Sequence, residues 1–398
     1  MPGDHALLSP SGAKRWITCT PSARLEENFE DEAGIPAEEG TLAHKLVESI
    51  LQYKTRLIDK PEYERLLAEI KADKLYANAM FEYCDQFAAV VLEKFAEAQM
   101  RSPDALLFLE QRYDLSRWVP AGFGTGDISI LADRLLEIVD YKYGKGVVVD
   151  ADDNEQMKLY ALGALEKFGH LYDIETVRMS IYQPRVDNFP VFEMSVADLL
   201  QWAESELKPK AVLAFAGEGD FVPGDHCGFC RARAVCKANA EYNLEIAKHQ
   251  FEVPVFLDEF DIADILERAP QFTKWIKAVE EYALKQAVNH GIKWPGFKLV
   301  EGRSNRVFID PNAVAAELMI AGYPFEAIHK PTELLGITAL EDTFGKKKLG
   351  EVISDLIVKP AGQLTLVPVS DKREEYNSLD AARRDFDGHG EDDAEFLQ

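Results

Sequence analysis

Two carboxylates and an amine stand in this sequence at a spacing suited to hydrolysis of a phosphodiester. Asp127 lies in the run Gly126-Asp127-Ile128-Ser129-Ile130-Leu131, and Asp140 and Lys142 close the run Leu135-Leu136-Glu137-Ile138-Val139-Asp140-Tyr141-Lys142. Both runs are β-rich, with a turn of three residues between them, so a hairpin is expected. Asp127 begins its first strand and Asp140 and Lys142 end its second, which brings the two carboxylates together at one end of a sheet. Residues two apart on a strand share a face, so Asp140 and Lys142 point the same way. Oxygen ligands of this kind hold Mg²⁺ or Mn²⁺; the ion stabilises charge on the phosphate and lowers the pKa of water, and a lysine orients or activates that water. Acyl transfer and nucleotide-driven work need other residues. Neither a Gly-x-Ser-x-Gly elbow nor a Gly-x-x-x-x-Gly-Lys-Ser/Thr phosphate loop is present.

The surrounding pattern says what positions these groups. Helical periodicity runs from about Gly40 to Met100, with Phe81, Cys84, Phe87, Val91 and Leu92 on one stripe. Short strands are expected at Leu106 to Leu109, Asp127 to Leu131, Leu135 to Val139, Val147 to Val149 and Glu175 to Tyr182. Helices are expected at Asn154 to Phe168 and Val196 to Ala216. Strands flanked by helices predict an α/β core with a helical front section. A boundary near Phe251 to Pro254 leads into an accessory α+β region, 251–373. It carries one or two helices over Asp261 to Asn289, strand-like Phe297 to Glu301 and Arg306 to Ile309, and shorter helices to Ile357. The last 25 residues, from Glu374, hold nine acidic residues against Arg383 and Arg384, which predicts a disordered tail over 374–398.

Composition limits the partners. The chain of 398 residues carries 44 Lys plus Arg against 69 Asp plus Glu, a formal charge of -25. A surface that adheres everywhere to nucleic acid or anionic membrane is excluded, so any DNA contact is local. No apolar run reaches the roughly 18 residues of a membrane helix, and the first residues lack the pattern of a secretory signal, which predicts a cytoplasmic protein without membrane contact. Of five cysteines, Cys227, Cys230 and Cys236 are crowded into ten residues, which in a reducing compartment points to metal.

Gly126-Asp127 followed by Asp140-Tyr141-Lys142 resembles the core motif of the PD-(D/E)XK nuclease superfamily, with Gly in place of the usual Pro. Glu39-Gly40-Thr41-Leu42-Ala43-His44 resembles the histidine motif of RecB-type nucleases, and Gln156-Met157-Lys158-Leu159-Tyr160 matches their Gln-x-x-x-Tyr motif. Cys19 with Cys227-x2-Cys230-x5-Cys236 is similar to the iron-sulfur nucleases of the CRISPR-associated and AddB type. The resemblance covers about residues 9 to 245, and 250 to 373 is similar to the extension of a phage and prophage group of such nucleases. It implies a restriction-endonuclease-like fold over 1–250 and a DNA exonuclease acting on ends or single strands. It also implies His44, Asp127, Asp140 and the Tyr141 carbonyl as ligands of Mg²⁺ or Mn²⁺, with Lys142 on the attacking water and Gln156 and Tyr160 organising site and substrate.

By the same resemblance the four thiolates hold a [4Fe-4S] cluster, for which structural Zn²⁺, helped by His226, is the alternative on charge grounds. A metal joining Cys19 to residues beyond 226 would staple the front of the domain to its back. Cys84 is expected to be a core residue, and Glu110 is left outside the metal set. Two other readings keep part of the pattern. One is a DNA-binding recombination accessory protein with a degenerate site. The other is a zinc-bearing interaction protein that recruits a recombinase or single-strand-binding protein.

Overall fold

The computed structural model describes residues 6–30, 34–248 and 259–298, with isolated positions between 319 and 356. The chain opens with short helices α1 (Ala13–Thr18) and α2 (Ser22–Glu26), then α3 (Ile35–Lys54), α4 (Lys60–Lys71) and α5 (Asn78–Arg101). Three strands follow: β1 (Leu106–Asp114), β2 (Phe123–Ala132) and β3 (Leu135–Tyr141). Helix α6 (Glu155–Phe168) connects β3 to β4 (Thr176–Tyr182), and β5 (Val191–Ser195) completes a five-stranded sheet in the order β1-β2-β3-β4-β5. All neighbours are antiparallel except β3 and β4, whose parallel pairing needs the crossover that α6 supplies. Local chemistry starts that helix: the Asn154 side chain accepts from Met157 N–H, Glu155 lies in the first turn and Lys167 in the last.

Helices cover both faces of the sheet. Leu46, Ile50, Phe87 and Val91 of α3 and α5 pack on Ile128, Ile130 and Val139. On the other side Trp16, Met157, Leu159 and Leu162 pack on Leu131, Leu136, Ile138 and Met179, together with residues of α7 (Val196–Trp202) and α8 (Lys208–Ala216). The mixed α/β architecture expected from the strand and helix runs is therefore present.

Several local expectations change. Val147 to Val149 is not a strand, and Val147 and Val148 are exposed, because β2 and β4 already occupy both edges of β3 and leave this segment no partner. The hairpin turn has two residues, Asp133 and Arg134, the latter at φ +64°. Strand β2 starts at Phe123, so Asp127 sits inside it rather than at its start. Glycine at 124 makes room for the N-terminal segment: a Cβ there would stand 2.4 Å from Pro10 Cγ. Helix 196–216 is interrupted by a π turn at Ala203–Leu207, just before Pro209.

Gly163 sets how closely α6 lies on β1. A Cβ there would meet Tyr113 Cβ at 2.5 Å, a backbone-proximal atom that cannot swing away. Gly163→Ala is expected to destabilise the chain by about 1–3 kcal/mol, read from urea unfolding, because α6 must shift to relieve the overlap. An unchanged midpoint would show that α6 is free to move.

A single helix, α10 (Glu259–His290), stands where one or two were expected. It packs on α9 (Lys237–Lys248) and on the turn Asp225–Phe229, where Gln271 Nε2 donates to the Gly224 carbonyl at 2.9 Å. Phe297 and Lys298 are in no strand. The remainder of the expected strands, the boundaries near 250 and 373 and the acidic tail lie outside the described residues. Among the described residues no helix is long and apolar enough to cross a membrane.

Candidate active site

Register places the carboxylates before any side-chain geometry is considered. The β2–β3 ladder pairs Ile128 with Val139, so the next rung sets Asp127 opposite Asp140. The β1–β2 ladder pairs Leu109 with Ile128 and Gln111 with Gly126, which sets Glu110 opposite Asp127. Three adjacent strands therefore contribute three acids to one rung: Glu110, Asp127 and Asp140.

The pleat reverses at that rung. Leu106 and Phe108 of β1 face the α6 side and Leu107 and Leu109 the α3 side, yet beyond Glu110 it is Tyr113 that faces α6. Glu110 itself sits at φ +46°, a left-handed conformation unusual for a glutamate. Strain of this kind concentrates where function over-determines the backbone.

Helix α3 brings His44 to the rung: its Nδ1 is 3.5 Å from Asp127 Oδ2 and 3.8 Å from Glu110 Oε1. Ligand atoms of His44, Glu110 and Asp127 lie within 4.8 Å of one another. On the far side Lys142 Nζ is 2.9 Å from Asp140 Oδ2 and donates to Gln156 Oε1 at 3.3 Å. Gln156 Nε2 in turn donates to Asp140 Oδ1 at 3.3 Å and to the Tyr160 hydroxyl at 3.2 Å. Gln156 and Tyr160 reach the site together because positions four apart share a helix face. Tyr141 enters by its backbone, its N–H donating to Asp127 Oδ2 at 2.7 Å, while its ring stacks on Phe87 on the other face.

Charge in this cluster is finely opposed. Burial pushes Asp127 up, His44 pulls it down, and Asp140 and Glu110 push it up again. Burial alone would lower His44, but Asp127, Glu110 and Asp140 outweigh it and raise the imidazole to about 9. Lys142 is likewise lowered by burial and raised further by Asp140 and Asp127, so it stands as an ammonium. Asp140 Oδ2 is buried and ion-paired with Lys142, but it makes no aligned hydrogen bond. An underused carboxylate oxygen beside three convergent oxygen and imidazole donors fits a hard divalent cation such as Mg²⁺ or Mn²⁺.

The four thiols Cys19, Cys227, Cys230 and Cys236 line one small cavity with Arg15 and His226. Cys19 ends α1, and the other three lie on the turn and loop before α9. Burial raises Cys19 and Cys227 and lifts Cys230 to about 12. Among the described residues, the ligand atoms that lie within 4.8 Å of one another are those of His44, Glu110 and Asp127, so the thiols share a cavity without that convergence. Glu26 ties the two halves of this site: its carboxylate meets Arg15 at 2.5 Å and accepts from Arg231 N–H at 2.7 Å. Two more bonds repeat the tie, Thr20 Oγ1 to the Glu218 carbonyl at 2.6 Å and Arg24 Nε to the Phe215 carbonyl at 2.7 Å. His226 Nε2 bonds the Val222 carbonyl at 2.8 Å. Cys84 is elsewhere, fully buried between Ala43 and Tyr141, as expected of a core residue. Of the basic residues near the thiols, Arg231 is spent on Glu26 and the Phe29 carbonyl.

A family described as "Protein of unknown function (DUF2800)" matches residues 5–374. The chain belongs to the DUF2800 family. Among solved structures, one titled "Crystal structure of SSO0001" is similar at 13% identity over 55% of this chain and 95% of that one, with a TM-score of 0.22. At that score the overlap carries no structural argument.

The DUF2800 match spans both the carboxylate rung and the thiol cavity. Of the expected site residues, His44, Asp127, Asp140, Lys142, Gln156 and Tyr160 meet in the first, and the four cysteines in the second. Glu110 joins the first set although the sequence reading left it out. Its signal was its place at the end of the strand preceding Asp127.

The raised His44 makes a pH prediction for this DUF2800 chain. A cation needs His44 neutral and Asp127 ionised, and both groups hold their protons to higher pH than usual, so binding must expel protons. Mn²⁺ affinity is expected to rise steadily from pH 6 towards about 9. Calorimetry in buffers of different ionisation enthalpy should register net proton release at pH 7. Equal heats in all buffers would place the metal elsewhere.

Proposed function

We propose that this chain is a metal-dependent deoxyribonuclease of the PD-(D/E)XK, RecB-like type, hydrolysing phosphodiester bonds at DNA ends or in single strands. The observation that supports it most is the single rung of Glu110, Asp127 and Asp140 flanked by His44 on one side and Lys142 on the other. Among other donor sets, Ser–His or Cys–His nucleophile pairs find no counterpart in this cluster. His44, Asp127, Asp140, Glu110 and the Tyr141 carbonyl are the groups that would hold Mg²⁺ or Mn²⁺, which when bound supplies charge for the phosphoryl oxygens and an acidified water.

The chain's own residues do the positioning. Lys142, an ammonium held by Asp140, donates to the attacking water or to a non-bridging phosphate oxygen. Gln156 fixes both partners of that pair, and Tyr160 fixes Gln156. The thiol cavity, read as a [4Fe-4S] or zinc site, fastens the N-terminal segment to the loop before α9 and leaves the rung to the chemistry.

Purified protein with Mn²⁺ and end-labelled single- and double-stranded DNA tests the reading. Lys142→Ala is expected to lose about 10²-fold or more in rate, as for removal of a positioned charge from a reacting site. Wild-type protein that binds Mn²⁺ and cuts none of these substrates, or a variant as fast as wild type, would overturn it.

A further inference from the structure

Beyond the carboxylate rung β1 and β2 continue as a two-stranded ribbon, Gln111–Asp114 against Phe123–Gly126. One face of it is closed: Tyr113 lies on Gly163 of α6, and Gly124 lies against Pro10 and Tyr160. Alternation turns Arg112, Phe123 and Thr125 to the other face, the α3 side from which His44 reaches the rung. Arg112 and Thr125 are exposed there and Phe123 is half-buried. The Arg112 guanidinium lies over the Phe123 ring, 3.9 Å from its centroid. Among the described residues it has no ion-pair partner; nearby Asp114 accepts instead from Ser116 N–H in its own turn. Lys167 adds a second cation at the ribbon edge, its ammonium donating to the Arg112 carbonyl at 3.3 Å.

We propose that this open face is a base-stacking subsite for a single DNA strand, in which the nucleotide next to the scissile phosphate lays its base on the Arg112–Phe123 pair. The inference rests on the nuclease reading of the adjoining rung. Arg112 is two residues along β1 from Glu110, and Thr125 two along β2 from Asp127, about 7 Å at the rise of a strand. A guanidinium stacked on a ring keeps one planar face and its full charge free for a base and its phosphate. Bases in a duplex already have both faces covered, so the platform selects unpaired nucleotides.

The test measures fluorescence anisotropy of labelled single-stranded oligonucleotides, each with one abasic position, bound to full-length protein with Ca²⁺ in place of Mn²⁺. One abasic position is expected to weaken wild-type binding about fivefold or more. Phe123→Leu, which keeps an apolar side chain without a ring face, should show the same loss on intact DNA and no further loss at that position. Arg112→Ala should weaken binding and flatten its salt dependence. Melting curves check that both variants are folded. Independent, additive losses, no sensitive position, or no binding by wild-type protein would overturn the proposal. Mn²⁺-dependent cleavage with additive losses removes the subsite and keeps the nuclease; coupling without cleavage keeps the subsite and removes the nuclease.

Discussion

Asp127→Asn is expected to abolish Mn²⁺-dependent DNA hydrolysis in a chain that melts no lower than wild type. Loss of a ligand carboxylate removes several kcal/mol of transition-state stabilisation, about 10³-fold in rate. The stability half of the result follows from the direction of the Asp127 shift. A salt-bridged aspartate has its pKa depressed and stabilises the fold at neutral pH. Asp127 is raised, by burial first and then by Asp140 and Glu110 against the pull of His44. Its contribution is therefore fully present below the ordinary carboxylate value and is lost as pH rises towards about 7. At pH 8 the ionised group is a cost to the apo fold, and Asn removes that charge while its Oδ1 still accepts from Tyr141 N–H. Glu110 remains 3.8 Å from His44, so the imidazolium keeps a partner. Retained activity would remove Asp127 from the site, and a melting temperature far below wild type would show that its charge supports the fold.

Cys19→Ser should empty the proposed thiol metal site and lower the melting temperature by about ten degrees or more, because binding free energy at such sites is folding free energy. Metal analysis of purified protein reads the first effect, and a brown colour with broad visible absorbance separates iron-sulfur from colourless zinc. Cys84→Ala is the contrast. Its thiol, pushed to about 12 by burial, bonds the Ala43 carbonyl and the Tyr141 hydroxyl inside the core, so its loss should cost about 1–2 kcal/mol of packing and no metal. Unchanged metal content in Cys19→Ser would leave the cavity an ordinary cluster of buried thiols.

The hairpin was legible in the sequence because its two runs are rich in Ile, Leu and Val and stand a short turn apart, and register does the rest. Crowding singled out Cys227, Cys230 and Cys236, whereas Cys19 joined them only through the resemblance. Glu110 was not, because periodicity assumes an unbroken pleat: after Leu106 to Leu109 the polar run Glu110-Gln111-Arg112 reads as the end of a strand, whereas a single positive φ turns the glutamate into the site and lets β1 continue to Asp114. Glycine at 124 and 126 makes room for Pro10, Tyr113 and Tyr160. Composition misled at one further place. The valines at 147 to 149 looked like a strand but follow β3, both of whose sides are taken by β2 and β4. In each case the deciding neighbour is remote in sequence.

The tie between the front and back of this domain also has a consequence in time. Glu26 and Arg231 are 205 residues apart, and the sheet is complete at Ser195, well before the last thiol at Cys236. Chains fold from the N-terminus as they are synthesised. A nascent chain can thus have all five strands while Glu26 still waits for Arg231, and loading of the proposed thiol site would follow the sheet. Translation arrested between those two points would leave the carboxylate rung built and its N-terminal cover loose.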